Sequence, residues 1–293
     1  MAAALVGNDG QGMRPGTVFY KMSGSGNDFL MFDGRHWHPE DYTPEAIRAI
    51  CDRRQGAGAD GVIVLDPAAP AGAHFTFRFW NSDGSLGPMC GNGALCATRL
   101  AAHLELAPPQ GEVVFATPAG LHRGEVRAGR PLIHLPDCPL PRPLPKARVE
   151  PGEGSPHLAN PSVPHLVMMV DDVARVDAER RGPPLRHDPA IGDGGANVNW
   201  VSPAPSGTFR MRTWERGVEG ETLACGSGAM ATALWWAAEG ASSPVSVRTA
   251  GGDTLSVAFA PRDDAWDVTL IGPAVVAFTG VWDDAAWAAA ARG

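Results

Sequence analysis

Two cysteines of this 293-residue chain stand in the same local setting. Cys90 opens Cys90-Gly91-Asn92-Gly93 and Cys225 opens Cys225-Gly226-Ser227-Gly228, and each is followed by an alanine- and leucine-rich run of helical character. Small residues at a helix start leave its first N–H groups unpaired and let a ligand approach the backbone. Such a terminus can hold a carboxylate, and its partial positive charge is expected to lower the pKa of a cysteine placed there. Two of them facing across a cleft would make a device for inverting a carbon centre. One thiolate removes the Cα proton, and the opposite thiol returns a proton to the other face. The bound carboxylate gains charge as the carbanion forms, so the helix termini act most strongly in the transition state. A lone Cys-Gly-x-Gly is usually a buried structural cysteine; a matched pair reads as chemistry. Cys51, Cys96 and Cys138 have no matched partners and read as core thiols.

The elements that must position the pair are also written twice. Phe75, Phe77 and Phe79 alternate with polar residues up to Asn81, and Phe209, Met211 and Thr213 alternate up to Glu215, the period of a half-buried strand. Cys90 follows Asn81 by nine residues, and Cys225 follows Glu215 by ten. Asn27–Phe32 resembles Pro164–Met169, Gly58–Val62 resembles Gly195–Asn199, and Thr117–Gly120 resembles Thr249–Gly252, in the same order. Such collinear matches indicate a duplication. The expected class is α/β (α+β): two pseudo-symmetric duplicated domains, each a mostly antiparallel sheet or barrel around a central apolar helix, with the active site in the cleft between them. The run Ala229–Ala238 is apolar on every side, so it should lie inside its sheet, with Gly240 as its stop. Nine prolines between Pro131 and Pro161 read as a linker with a strand or two at its edges. Residues 1–16 read as a disordered tail, 17–135 as the N-terminal half and 136–274 as the C-terminal half.

Bulk properties narrow the alternatives. A composition 44% hydrophobic and 19% charged is that of a globular protein. A net charge of −8 argues against a nucleic-acid partner, and no apolar run approaches membrane-spanning length. Five cysteines without a signal peptide point to free thiols and the cytoplasm. Lys21 and Lys146, the only lysines, offer little for a pyridoxal-phosphate Schiff base and read as ordinary surface residues; no cofactor is expected. His36-x-His38 and Cys90-x5-Cys96 have no usual zinc spacing, so no metal site is expected, and a non-catalytic metal or redox protein is disfavoured.

Taken together, FYKMSGSGNDFLMFD, NSDGSLGPMCGNGALC, the PHLV segment, GANVNWV and ERGVEGETLACGSG resemble the diaminopimelate epimerase family, from Val18 to Trp282. The resemblance implies that Cys90 and Cys225 are the acid–base pair of a cofactor-independent isomerase. It implies further that LL-2,6-diaminopimelate is converted to the meso form, a step toward lysine and peptidoglycan precursors. Asn27, Asn81, Asn197, Glu215 and Arg216 match positions that hold the substrate. The Gly91-Asn92 and Gly226-Ser227 backbones match the carboxylate cradle, and His165 matches an auxiliary group. Glu215 for an ammonium and Arg216 for a carboxylate suit a second amino-acid head. The family further implies a small-molecule amino-acid substrate, a homodimer, and a C-terminal segment, 275–293, that returns to the first half. This chain departs from the family at Ser162-Val163, where an asparagine is usual, with Asn160 the nearest substitute. It departs also at Gly61, Ser23 and the Glu219-Gly220 turn. The alternative keeps the chemistry with another substrate, as in histidine- or proline-type racemases. An isomerase of the phenazine-biosynthesis type would lack the cysteine pair.

Overall fold

A computed structural model describes residues 16–282 of the protein. Its first half runs β1 (Val18–Gly24), β2 (Asn27–Asp33), α1 (Pro44–Cys51), β3 (Gly61–Asp66), β4 (Phe75–Asn81), β5 (Leu86–Gly87), α2 (Gly91–His103), β6 (Gly111–Thr117), β7 (Gly120–Arg127) and β8 (Arg130–Pro139). After β9 (Arg142–Pro143), the second half runs β10 (His157–Ala159), β11 (His165–Met169), α3 (Ala178–Arg186), β12 (Asn197–Ala204), β13 (Thr208–Glu215) and β14 (Gly220–Thr222). It ends with α4 (Gly226–Ala238), β15 (Val245–Arg248), β16 (Thr254–Arg262), β17 (Ala265–Ile271) and β18 (Ala274–Val281).

The pairings repeat from one half to the other. β2–β3 and β11–β12 are parallel, β3–β4 and β12–β13 antiparallel, and β4–β6 and β13–β15 parallel again. The antiparallel runs β6–β7–β8 and β15–β16–β17 complete each set. α2 packs on β1, β2, β3, β7, β8 and β18, so strands surround it, and α4 sits likewise among β10, β11, β12, β15, β16 and β17. Both are thirteen residues long. Each ends at a left-handed residue, Glu105 at φ 58° and Gly240 at φ 89°, the usual way a helix releases its chain. α4 has no polar face to turn outward: Ala229, Met230, Ala231, Ala233 and Leu234 are all buried. At about 1.5–3 kcal/mol for each large side chain removed from water, a place inside the barrel is where this sequence is most stable. Outside the sheets, α1 and α3 cover smaller clusters around Ile47, Ile50 and Phe32 and around Leu185, Trp200 and Trp214.

Two strands join the halves. β8 pairs with β17 across the middle of the molecule, and β18 pairs with β1 over its whole length. The proline-rich stretch carries the strands expected at its edges, β8 at its start and β10 at its end. Its first nine residues, together with Arg130, form β8, paired on one side with β7 and on the other with β17. The register shifts between Trp266 and Val268, opposite Pro136-Asp137, and Asp137 has a left-handed φ of 56°. The missing proline donor thus falls at a bulge, where the ladder does not require it. Lys21 differs from its reading as a surface residue: it is buried and pairs with Asp28 at 2.6 Å. The expected tail lies outside the described residues except for Gly16, whose N–H donates to the Trp282 carbonyl at 2.8 Å. Of the segment expected to return, residues 283–293 also lie outside them.

Candidate active site

Cys90 and Cys225 are the N-cap residues of α2 and α4, both with extended backbone (φ −131° and −137°). The two helix starts abut. A Cβ built on Gly226 would lie 2.7 Å from Asn92 Oδ1, and one on Gly91 only 3.5 Å from Leu270. Glycine at 226 is required there because the other half occupies the space. Cys225 Sγ accepts the Gly228 N–H at 3.4 Å, contacts Ser227 Oγ at 3.5 Å and points to Glu215 Oε1 at 3.9 Å.

Behind Ser227 lies a buried polar chain. Thr213 Oγ1 donates to Asn199 Oδ1 (2.9 Å), which orients that amide so that its Nδ2 donates to Leu166 O (3.2 Å) and to His165 Nδ1 (3.0 Å). The His165 proton is thereby assigned to Nε2, which donates to Ser227 Oγ at 2.9 Å. The Ser227 hydroxyl is then free to donate to Cys225 Sγ. His165 is fully buried, and burial pushes it down to about 3, with the Arg216 charge acting the same way. It is a neutral imidazole at physiological pH. Asn197 closes the group: its Oδ1 accepts the Arg216 backbone N–H at 2.7 Å, and its Nδ2 lies 3.3 Å from His165 Nε2.

On the first half, Asn92 Nδ2 donates to Asn27 Oδ1 at 2.7 Å, and Asn27 Nδ2 to Asp60 Oδ2 at 3.2 Å. Asn81 stands apart. It is exposed at the end of β4 and donates to Ser85 Oγ at 3.0 Å. A side chain at Gly61, beside it in register, would strike Trp80 O at 2.6 Å, so glycine is fixed by packing there. Val163 is half-buried and Asn160 exposed. The structure thus gathers Cys225, Ser227, Gly226, Glu215, His165, Asn197 and the Arg216 backbone around one helix start, and Cys90, Gly91, Asn92 and Asn27 around the other. Asp60, Asn199 and Thr213 are additions. Asp60 and Asn199 lie within the duplicated Gly-Ala-Asx segments, a signal that was present in the sequence.

The thiols overturn one expectation. The helix termini do not leave them acidic. Burial pushes Cys90 up to about 11, assisted by the charges of Glu215 and Asp60, while the Gly93 and Asn92 N–H groups pull the other way. Cys225 is pushed up further, by burial and then Glu215, against Ser227 and Gly228. Removing a thiolate from water costs more here than the helix-end field returns. Ionisation of Cys90 also disfavours that of Cys225. Glu215 is itself pushed up by burial, and the Asp60 charge adds to this. Burial keeps Cys51, Cys96 and Cys138 protonated, as core thiols should be. Among the described residues no group of three metal-ligating side chains occurs, and no helix is long and apolar enough to cross a membrane. A cavity of about 520 Å³ lined by Arg210, Arg248 and Leu223 opens on the second half, and neither Cys90 nor Cys225 lines it.

Comparison with known proteins adds a lineage to this geometry. The family model described as diaminopimelate epimerase matches residues 19–130 and 158–275. A diaminopimelate epimerase of Gemmatimonas aurantiaca is 43% identical over 83% of this chain and 88% of its own length. Its counterpart in Aquifex aeolicus is 36% identical over 89% of this chain and 96% of its own. Among solved structures, a phenazine biosynthesis protein of the PhzF family from Bacillus anthracis superposes with a TM-score of 0.71 at 13% identity, over 92% of this chain and 99% of its own. A hydroxyproline epimerase from Agrobacterium vitis gives 0.65 at 16% identity, over 90% of each chain. At these identities the structures share the fold alone.

Proposed function

The chain belongs to the diaminopimelate epimerase family, and from that premise we propose that it converts LL-2,6-diaminopimelate to the meso isomer with Cys90 and Cys225 as the two bases. The observation that carries the reading is the abutment of two equal helices, each capped by a cysteine, with Asn92 Oδ1 against Gly226. A carboxylate between the two starts takes N–H groups from both halves, which sets the substrate Cα between the sulfurs. One sulfur, as thiolate, takes the Cα proton; the other, as thiol, gives its proton to the opposite face. The pair ends with its roles exchanged and no net change in protonation. The substrate brings its own ammonium groups and excludes water, and both effects favour the single thiolate that burial otherwise opposes.

Glu215 ends β13 and Arg216 follows it, beside the second helix start, and in this reading they take a second ammonium and carboxylate. That demand belongs to a substrate with two amino-acid heads and not to proline. Action in the cytoplasm, as a homodimer and in the supply of lysine and peptidoglycan precursors, belongs to the same proposal. Incubation with LL-diaminopimelate in deuterated water, without pyridoxal phosphate, is expected to place deuterium at one Cα. Cys90→Ala and Cys225→Ala are each expected to abolish epimerisation, a loss of at least about 10³-fold. Full turnover by either variant, or exchange of L-proline in place of diaminopimelate, would sink the proposal.

A further inference from the structure

We propose that Asp60, outside both cysteine motifs, is a positioning residue: clamped by Arg53, it fixes the Asn27 and Asn92 carboxamides and through them the start of α2 against α4. The inference rests on the two-thiol reading above. Arg53 Nη2 donates to Asp60 Oδ1 at 2.7 Å and to Asp28 Oδ1 at 2.7 Å, while its Nη1 donates to Asp28 Oδ2 at 2.9 Å. Lys21 pairs with Asp28 from the buried side at 2.6 Å. The second Asp60 oxygen accepts the Asp28 N–H at 3.1 Å and the Asn27 amide at 3.2 Å. Asn27 spends its oxygen on Asn92 at 2.7 Å. One donor and one acceptor of Asn27 are therefore occupied by the protein, which makes it a link in a chain.

The chain ends on an atom with no partner. Asn92 is 1% exposed, and its Oδ1 makes no hydrogen bond; it rests on the Cα side of Gly226, in the opposite half. A buried acceptor without a donor is unfavourable by about 1–3 kcal/mol, so something must hold the amide in that orientation. Asn27 does so by accepting from Nδ2, and Asp60 orients Asn27. A neutral Asn27–Asn92 pair alone would be free to flip. A carboxylate accepts only, so it allows Asn27 one orientation.

Asp60 also belongs to the electrostatic surroundings of Cys90. The groups that face this thiol are Glu215 from β13, Asp60 from the segment before β3, Cys225 from the start of α4, Cys96 from α2 itself and the Gly93 and Asn92 N–H groups. Asp60 and Glu215 both oppose its ionisation. The anchor therefore has two separable effects, orientation through hydrogen bonds and a field at the sulfur.

The test compares Asp60→Asn, Asp60→Ala and Arg53→Met. Two measurements are made: epimerisation of LL-diaminopimelate, and the rate of Cys90 alkylation by iodoacetamide near pH 8 in a Cys225→Ser background, which needs no substrate. Asp60→Ala is expected to lower kcat/KM at least about tenfold. In Asp60→Asn the Asp28 N–H still selects the amide oxygen for the position to which Asn27 donates, so this variant should recover much of that loss while alkylating about three- to tenfold faster, since a negative charge has gone. Arg53 is largely exposed, so Arg53→Met leaves the core intact; it strips a positive charge and should slow alkylation. Opposite signs at Asp60 and Arg53 distinguish a field from general loosening, which would speed both. Asp60→Ala with unaltered kinetics and alkylation, Asp60→Asn no better than Asp60→Ala, or equal signs at the two positions would overturn the proposal. Because alkylation reads Cys90 directly, a wrong substrate assignment would leave that part of the result standing.

Discussion

His165 shows how burial sets the character of a single group. Its imidazole has no carboxylate partner among the described residues; Asn199, Asn197 and Ser227 surround it instead. A neutral ring is the only form that site tolerates, and the ring passes that constraint to Ser227 and Cys225. The consequence for stability has a definite sign. The unfolded chain binds a proton at this histidine as pH falls below about 6.5, whereas the folded one resists until about 3. Stability is full above the upper value and declines through the interval between them. His122 and His134 are also pushed down by burial and contribute in the same sense. Urea midpoints measured across that interval should fall with acidification, and His165→Gln should flatten part of the slope. The same variant is expected to lower kcat roughly tenfold or more, because Ser227 loses the donor that orients it. An unchanged acid slope would show that the imidazole is not held neutral in the native protein.

At the scale of the element, each cysteine-capped helix is fixed by what touches its first turn. Gly228 is the tightest point: a Cβ there would lie 2.4 Å from Asn199 Oδ1, an atom held in place by Thr213. Gly93 is the counterpart in α2, with Ile63 Cδ1 at 2.7 Å. Isoleucine can swing aside, whereas an amide bonded at both ends cannot. Gly228→Ala is therefore expected to cost about 1–3 kcal/mol and to abolish activity by shifting Cys225. Gly240→Ala serves as the control. It meets nothing within 4 Å and is opposed only by its φ of 89°, so it should cost roughly 1 kcal/mol and leave kcat unchanged. Thermal melting with kinetics on both variants separates packing at the active end from backbone strain at the other.

The whole molecule is closed by strands that cross between its duplicated parts. β18 comes last in the chain among the described elements, yet it covers the edge of β1, and β17 covers β8. The first half is thus completed by residues more than a hundred positions downstream. β1 carries buried Phe19 and Met22 and would present an unpaired apolar edge without β18. A chain ending at Gly272 is expected to self-associate and to lose amide protection throughout β1, as size-exclusion and hydrogen exchange would show. A monodisperse product with β1 still protected would contradict this view of the closure.

How much of this was written in the sequence depends on the range of the interaction involved. The two Cys-Gly-x-Gly helix starts, their strand–turn–helix context and the duplication were legible, because period-two and period-3.6 patterns and repeats are local. The apolar run after Cys225 declared its own burial, since it has no polar face to leave in water. The proline-rich stretch read as a linker with a strand or two at its edges, as β8 and β10 are; that β8 pairs with β17 was not visible, because β17 lies more than a hundred residues downstream. Lys21 read as surface because its partner Asp28 lies across a strand pair. The thiols read as acidic for the same reason: a helix terminus is visible in sequence, whereas burial by the other half is not. Local patterning determined which residues are proposed for the chemistry and on which elements they stand. Only the tertiary structure decided that Asn92 meets Gly226, that Glu215 and Asp60 share the surroundings of Cys90, and that burial pushes both thiols up, because desolvation and charge pairing arise between segments far apart in the chain.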